Sequence, residues 1–380
     1  METKKYRFDE VTINFDKKRI PLSSAQREKR QGTFRYYGAQ GVIDHVDDYI
    51  FDGTYLLIAE DGENLKSKKQ NIAQVVDGQF WVNNHAHIVQ GNEQCDTRFL
   101  CYLINSMDLS GYVTGSAQPK LSQANLNAVT LSLPTLAEQK RIVEYLYMLD
   151  QKIDVNRQIN DNLELQAQAF FQELFVDNAD PEWAIGTISD LGAVVGGSTP
   201  SKAKPEYYTE TGIAWITPKD LSINKSKFIS HGENGITELG LKNSSATIMP
   251  EGTVLFSSRA PIGYIAVAAG EVTTNQGFKS IVPKPEIGTA FVYYFLKHNL
   301  PIIEGMASGS TFKEVSGSTM KGVPAVIPDT DTIARFNDFC TPIFAQQRIL
   351  EEQNQSLAVL RDNLLPKLMS GEIDVSTIQL

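Results

Sequence analysis

Two stretches of this chain carry apolar residues at alternating steps of four and three. Residues 136–175 contain no Pro or Gly. Within them Ile142, Leu146, Leu149, Ile153, Asn156, Asn160, Leu163, Ala167, Phe170 and Leu174 keep that step throughout. A second series, Phe336, Cys340, Ile343, Gln347, Leu350, Asn354, Leu357, Arg361, Leu364 and Leu368, repeats it less cleanly. This is the spacing of a coiled-coil seam sustained over about four heptads. Pro342 is expected to kink the second helix or delay its start, and Pro366 to bend or end it. A helix of roughly 40 residues is about 60 Å long at 1.5 Å per residue. A lone helix cannot hide such a stripe, so the simplest partner for each is the other, run antiparallel. A place in an ordinary bundle core is the competing reading. Asn160 and Asn354 fall in the seam, where polar residues set register.

The two series belong to an internal repeat. Aligning Gly115-Ser116 with Gly309-Ser310 gives an offset of 194, at which Ser122, Val129, Pro134, Arg141, Asn160, Leu163 and Leu174 all meet identical residues. Upstream the register drifts: Tyr6, Phe8 and Val11 resemble Trp183, Ile185 and Ile188 at an offset of 177, and Thr54 to Leu57 resembles Thr253 to Phe256 at 199. Between the helices the chain alternates short strands with turn formers. Tyr55–Ile58, His85–Val89, Thr253–Phe256 and Tyr264–Ala268 read as strands, and residues 99–109 and Ala290–Lys297 as matching short helices. The fold class is therefore α+β. Two globular α/β units related by a pseudo-two-fold are separated by two long antiparallel helices forming an intramolecular coiled coil. The expected boundaries are 1–134 and 179–329 for the globular units, with 135–178 and 330–380 for the helices and the C-terminal tail.

Charge complicates any reading that involves nucleic acid. The chain carries 45 acids against 35 bases, a net of −10, whereas phosphate contacts usually leave a basic footprint. Residues 1–35 reverse the balance, with ten bases against five acids, so a local basic face fits within an acidic whole. Cys95, Cys101 and Cys340 form no CxxC pair and are odd in number, which suits reduced thiols in a cytoplasm. No apolar run approaches the eighteen or so residues of a membrane helix, and the N-terminal residues do not read as a secretory signal.

Local strings then add a resemblance. Leu131 through Val143, with Glu138-Gln139 near its centre, resembles the start of the first conserved helix in specificity subunits of Type I restriction-modification systems. Gly197–Pro200, Trp215–Asp220, Thr274–Phe278, and in the first unit Tyr37-Gly38, Phe51–Gly53 and Trp81–His85, are similar to strings of that family's target-recognition domains. Leu364–Ile373 resembles the end of its second helix. The second copy departs from the pattern by reading Thr332-Ile333 in place of Glu-Gln. The resemblance covers nearly the whole chain. It implies a prokaryotic, cytoplasmic, non-catalytic subunit that reads a bipartite double-stranded DNA target, one half per recognition domain. It further implies two docked methyltransferase (modification) subunits and, where present, restriction/translocase motor-nuclease subunits. S-adenosylmethionine and ATP would then belong to those partners, with no cofactor in this chain.

The residues themselves offer little catalytic chemistry. There is no Asn/Asp-Pro-Pro-aromatic string and no GxxxxGK[ST] loop. Gly192-Ala-Val-Val-Gly196-Gly197 lacks the strand–turn–helix context of a nucleotide fingerprint. His45, His85 and His87 read as ordinary strand histidines more readily than as a metal site. Base reading calls for Arg or Lys toward guanine and Asn or Gln toward adenine. The candidates are Arg30, Arg35, Lys66, Lys68, Lys69, Asn83, Asn84 and Lys120 in the first unit, and Lys202, Lys204, Lys219, Lys225, Arg259, Lys279 and Lys313 in the second. Asn275 and Gln276 read better as a structural turn. Two alternatives stay open: a coiled-coil scaffold that binds only proteins, and part of a fused restriction-methylation enzyme.

Overall fold

The computed structural model describes residues 2–67, 70–115, 118–309 and 313–373. The chain divides into two compact units, residues 1–152 with 356–380, and residues 153–355. Both long helices pass through the division. The first, Leu136–Gln172, ends in one π-helical turn, Glu173–Asp177, and the second is Thr330–Ser370.

Each unit is assembled from the same parts in the same chain order. In the first, strand Lys4–Arg7 pairs antiparallel with Thr130–Leu133, next to the start of the first long helix. In the second, Ala184–Thr187 pairs with Pro324–Ile327, next to the start of the second. The short turns Phe8–Val11 and Ile188–Leu191 follow these strands, which corrects the N-terminal offset from 177 to 180. In that register Phe8 and Val11 meet Ile188 and Leu191, and all four side chains are buried. The 177 register matched aromatic and aliphatic types but placed exposed Ile185 opposite buried Phe8. Further on, the offset of 199 aligns Tyr55–Ala59 with Val254–Ser258, and 194 aligns helices Gln123–Asn127 and Gly317–Lys321, capped by Ser122 and Ser316. Gly115 and Gly309, which open the repeat, both take positive φ, +84° and +123°, a region glycine enters without steric cost. Ser116 and Ser310 lie outside the described residues.

The main sheet of the first unit orders strands Thr12–Asn14, Ala86–Gly91, Tyr55–Ala59 and Ala73–Val76, all antiparallel. The second unit repeats it with Gly192–Gly196, Lys279–Pro283, Val254–Ser258 and Ile262–Ala268, adding Phe228–Ile229 at the edge. Against each sheet lies a short helix, Thr97–Ser106 or Thr289–His298, close to the segments expected at 99–109 and 290–297.

The long helices complete both cores. In the first unit Ile142, Leu146 and Leu368 join the apolar cluster of Phe8, Leu56 and Leu100, with Leu364 packed against it. Asp150 takes a hydrogen bond from Tyr102 at 2.5 Å and an ion pair from Arg361 at 2.8 Å. In the second unit Asn156 Nδ2 donates to Asn354 Oδ1 at 2.9 Å, Gln347 Nε2 donates to the Asn160 carbonyl at 3.2 Å, and Phe170 stacks near Phe336. Within each unit, then, residue numbers rise along one helix as they fall along the other. Ile153, Leu174, Ile343 and Leu350 are buried, while Leu149, Asn160, Leu163, Phe170, Asn354, Leu357 and Leu364 are half-buried.

Pro342 and Pro366 neither delay nor end the second helix. Each proline forfeits one ladder hydrogen bond, but the neighbours Cys340, Ile343 and Leu368 are buried, and their packing holds the segment helical. The Glu138-Gln139 departure also has a physical account. Gln139 is fully buried, accepting from Asp96 N and donating to the Gln94 and Pro134 carbonyls. At the equivalent place Ile333 is buried in apolar contact instead, and Asp329 caps the helix by accepting from Thr332 N at 2.8 Å.

Two buried polar clusters brace the units. In the second, Lys227 lies between the helices and the sheet, donating to Gln347 Oε1 at 2.6 Å and ion-paired with Glu164. Burial works against the Glu164 carboxylate, but the Lys227 charge and hydrogen bonds from Lys227 and Lys297 prevail and hold it at about 2. In the first, His87 is 1% exposed, with Nδ1 2.6 Å from Asp16 Oδ2 and Nε2 2.8 Å from the Leu121 carbonyl. Both partners are acceptors, so the ring carries both protons. Burial disfavours that charge, yet the Asp16 and Leu121 hydrogen bonds outweigh it and raise the His87 pKa above its ordinary 6.5. A raised folded-state pKa contributes stability that is complete below 6.5 and is lost as pH rises through the folded value. Replacing His87→Gln is therefore expected to cost about 1–3 kcal/mol below pH 6 and less at higher pH. Denaturant titrations across that range check this, and a pH-independent difference would contradict it.

Candidate nucleic-acid interface

A second sheet in each unit ends in an amide-bearing turn. In the first unit it orders Gly41–Val46, Gln31–Gly38, Gln79–Val82 and Phe51–Asp52; in the second, Tyr208–Thr209, Asn234–Ile236, Ile213–Ile216 and Thr273–Thr274. Strand Gln79–Val82 runs into Asn83-Asn84 and strand Thr273–Thr274 into Asn275-Gln276. Asn83 N donates to the Tyr37 carbonyl and Asn275 N to the Ile216 carbonyl, both at 3.0 Å. Asn83 Oδ1 accepts from His85 N and Asn275 Oδ1 from Gly277 N, both at 2.8 Å. These are the same Asx turn made twice. In each copy the first amide serves the backbone, while the second, Asn84 or Gln276, is exposed. The sequence separated the two pairs, taking one as base readers and the other as a turn. The structure puts them in one category. The missed signal was the offset of 192 that also relates the two short helices.

Tryptophans of the same sheets hold the facing loops. The Trp81 indole donates to the Ile20 carbonyl at 2.6 Å, and Arg30 lies over its ring at 4.8 Å. The Trp215 indole donates to the Ser198 carbonyl at 3.0 Å. In the second unit this leaves a cleft of about 540 Å³, lined by Thr199, Lys202, Tyr208, Trp215, Thr217, Lys219, Asp220, Glu233, Asn234, Asn275 and Gln276. The strings Gly197–Pro200, Trp215–Asp220 and Thr274–Phe278 thus converge on one place. Asp220 closes a capping box with Thr217 and takes Glu233 N at 2.8 Å, so its oxygens are occupied by the scaffold. Tyr208 and Asn234 were not singled out from the sequence; only the pairing of their strands brings them here.

Most of the basic candidates are tethered. Arg30 pairs with Asp47, Lys120 with Glu60, Lys204 with Glu206 and Lys219 with Glu233, while Arg259 and Lys279 share Glu314. Arg35 donates to the Asp77 carbonyl, Lys66 to that of Gly115 and Lys225 to that of Leu221. Lys202 and Lys313 are exposed with no partner among the described residues. Lys68 and Lys69 lie outside those residues. His87 has both ring nitrogens engaged, His85 pairs with Asp61, and burial pushes the Cys95, Cys101 and Cys340 thiols up to about 12. No helix among the described residues is long and apolar enough to cross a membrane.

Comparison with known proteins shows what the chain as a whole is similar to. The family model described as "Type I restriction modification DNA specificity domain" matches residues 2–165 and 181–358. The chain is 39% identical to the Type I restriction enzyme MjaIX specificity subunit of Methanocaldococcus jannaschii over 48% of this chain and 44% of that one. It is 24% identical to the Type I restriction enzyme HindI specificity subunit of Haemophilus influenzae over 85% of this chain and 84% of that one. The match thus spans under half of the first relative's length and most of the second's. In fold it resembles the crystal structure of a Type I restriction-modification system S subunit from M. genitalium, with a TM-score of 0.61 at 16% identity, over 97% of this chain and 96% of that one.

The loop carrying Gly197 makes a close approach that fixes the cleft wall. A Cβ there would lie 1.9 Å from the Asn275 carbonyl oxygen, whereas one at Gly196 would meet nothing within 4 Å. Gly197→Ala is expected to destabilise the protein by about 1–3 kcal/mol, as overpacking does, with Gly196→Ala close to neutral. Thermal denaturation of the two variants separates them.

Proposed function

We propose, starting from the fact that this chain belongs to the Type I restriction-modification DNA specificity family, that it reads a bipartite DNA target, one half-site per globular unit. The observation that carries this reading is the duplication itself. Two units that share the order of four main-sheet strands, the same amide turn and the same helix junction are suited to making the same kind of contact twice. The domain boundaries at 1–134, 135–178, 179–329 and 330–380 follow from it. The long helices form an intramolecular coiled coil that sets the spacing between half-sites.

The helices also dock the methyltransferase subunits. Their outer faces carry exposed apolar side chains, Val155, Ile159 and Ile349 in the second unit and Met148, Val359 and Leu360 in the first. S-adenosylmethionine and ATP chemistry belong to the partner subunits, including restriction/translocase subunits where present, and this chain performs no catalysis. The acidic net charge and the tethering of most basic candidates fit a division of labour in which the assembled complex supplies most of the phosphate contacts.

Fluorescence-anisotropy titrations of duplex DNA test this. The isolated chain should bind weakly and with strong salt dependence, and addition of methyltransferase subunits should tighten binding by tenfold or more. A double variant, Ile159→Glu with Ile349→Glu, should keep the weak binding and lose that gain. Equal affinity with and without the partners would contradict the proposal.

A further inference from the structure

We propose that the exposed second amide of each Asx turn, Gln276 in the second unit and Asn84 in the first, is a base-reading residue that recognises adenine through its major-groove edge. This rests on the DNA-recognition reading above and names the atoms that would carry it.

Each turn leaves one of its two amides over. In both units the first amide is consumed by the backbone, so its identity is fixed by the fold and carries no information about a ligand. The second amide has no such duty. No hydrogen bond joins the Asn84 side chain to any described residue. Gln276 Oε1 accepts from the Thr199 hydroxyl, which orients the amide, and its NH2 group has no partner among the described residues. A side-chain amide held at a fixed place on a rigid turn can donate and accept at once, the pattern that matches adenine N7 and N6. The repeat supplies independent support. The two units differ in loop length and in most side chains, yet both place an exposed carboxamide whose NH2 group has no partner among the described residues at this one position.

In the second unit the surroundings agree. Asn234 and Trp215 are directly opposed in antiparallel strands, so their side chains share the sheet face that floors the cleft. Asn234 is exposed and its amide has no partner among the described residues, which offers a second donor and acceptor beside Gln276. The wall charges balance, with Lys202 and Lys219 against Asp220 and Glu233. A slot with two carboxylates is poorly suited to a phosphate and well suited to the neutral edge of a base pair. Lys202, an exposed lining residue with no partner among the described residues, is the group suited to meet the backbone nearby.

The test uses the full chain assembled with its methyltransferase subunits and a plasmid library of random sequence. Methylated sites are sequenced to give the recognised motif, and affinity for non-specific duplex is measured alongside. Gln276→Ala and Asn234→Ala are expected to relax the preference at one or two adjacent positions of one half-site by roughly 10- to 100-fold, leaving the other half-site and the non-specific affinity unchanged. Asn84→Ala should do the same in the opposite half-site. Lys202→Ala should weaken binding evenly across sequences. All three amides are exposed, so the variants are expected to fold as the parent does, which thermal denaturation checks. A motif unchanged by all three amide substitutions overturns the proposal. If the unaltered complex selects no motif at all, the DNA-recognition reading fails instead.

Discussion

The seam between the two long helices is the constraint from which the rest follows. A stripe of Ile142, Leu146, Ile153, Leu174, Ile343, Leu350 and Leu368 is buried within the units. A helix presenting such a stripe to water would forfeit the apolar burial that stabilises it, at about 25 cal/mol per Å². Each unit answers the problem with material from both helices, so neither core is complete without a piece of chain from far away in sequence. In the first unit Leu368 closes a cluster otherwise made from residues 8–146. In the second, Ala167 and Phe171 pack against Phe291 and Phe336.

Polar groups within this seam give it a register. Asn156 and Gln347 are almost fully buried, and the hydrogen bonds they make across the helices are satisfied only in one alignment. Lys227 extends the same logic to the sheet of the second unit, reaching Glu164 on one helix and Gln347 on the other. Buried polar contacts of this kind contribute less to stability than to specifying a single arrangement. On the proposed reading, that single arrangement is what would hold the exposed amides of each unit at fixed places.

Much of this was legible in the sequence. The four-three step of the seam marked both helices because burial selects residue type at every position, and the gapless offset of 194 marked the strand, cap and helix junction of each repeat. The prolines of the second helix misled only as to where it starts and ends: the cost of a lost backbone bond is visible in sequence, but the packing that offsets it is not. The N-terminal register slipped by three because Tyr6 and Phe8 look like Trp183 and Ile185 in kind, and only burial shows that Phe8 corresponds to Ile188. The candidate site was the least readable part. Asn83 and Asn275 are set apart from Asn84 and Gln276 by lower exposure and a hydrogen bond to the backbone two residues on, neither of which residue type reveals. Basic residues were easily enumerated, yet Arg30, Lys120, Lys219, Arg259 and Lys279 are paired with Glu or Asp residues that only folding brings near.

Crosslinking across the seam tests the central claim most directly. Asp150 and Arg361, both half-buried, are ion-paired at 2.8 Å across the two helices within the first unit, and burial raises the pKa of the three native thiols. A chain carrying Asp150→Cys with Arg361→Cys, treated with a short thiol-to-thiol crosslinker, should yield one intramolecular link joining the two helices of a single chain, identified by mass spectrometry of its peptides. Links found only between two chains, or none at all while the single-cysteine variants label normally, would contradict the antiparallel intramolecular pairing on which the account stands.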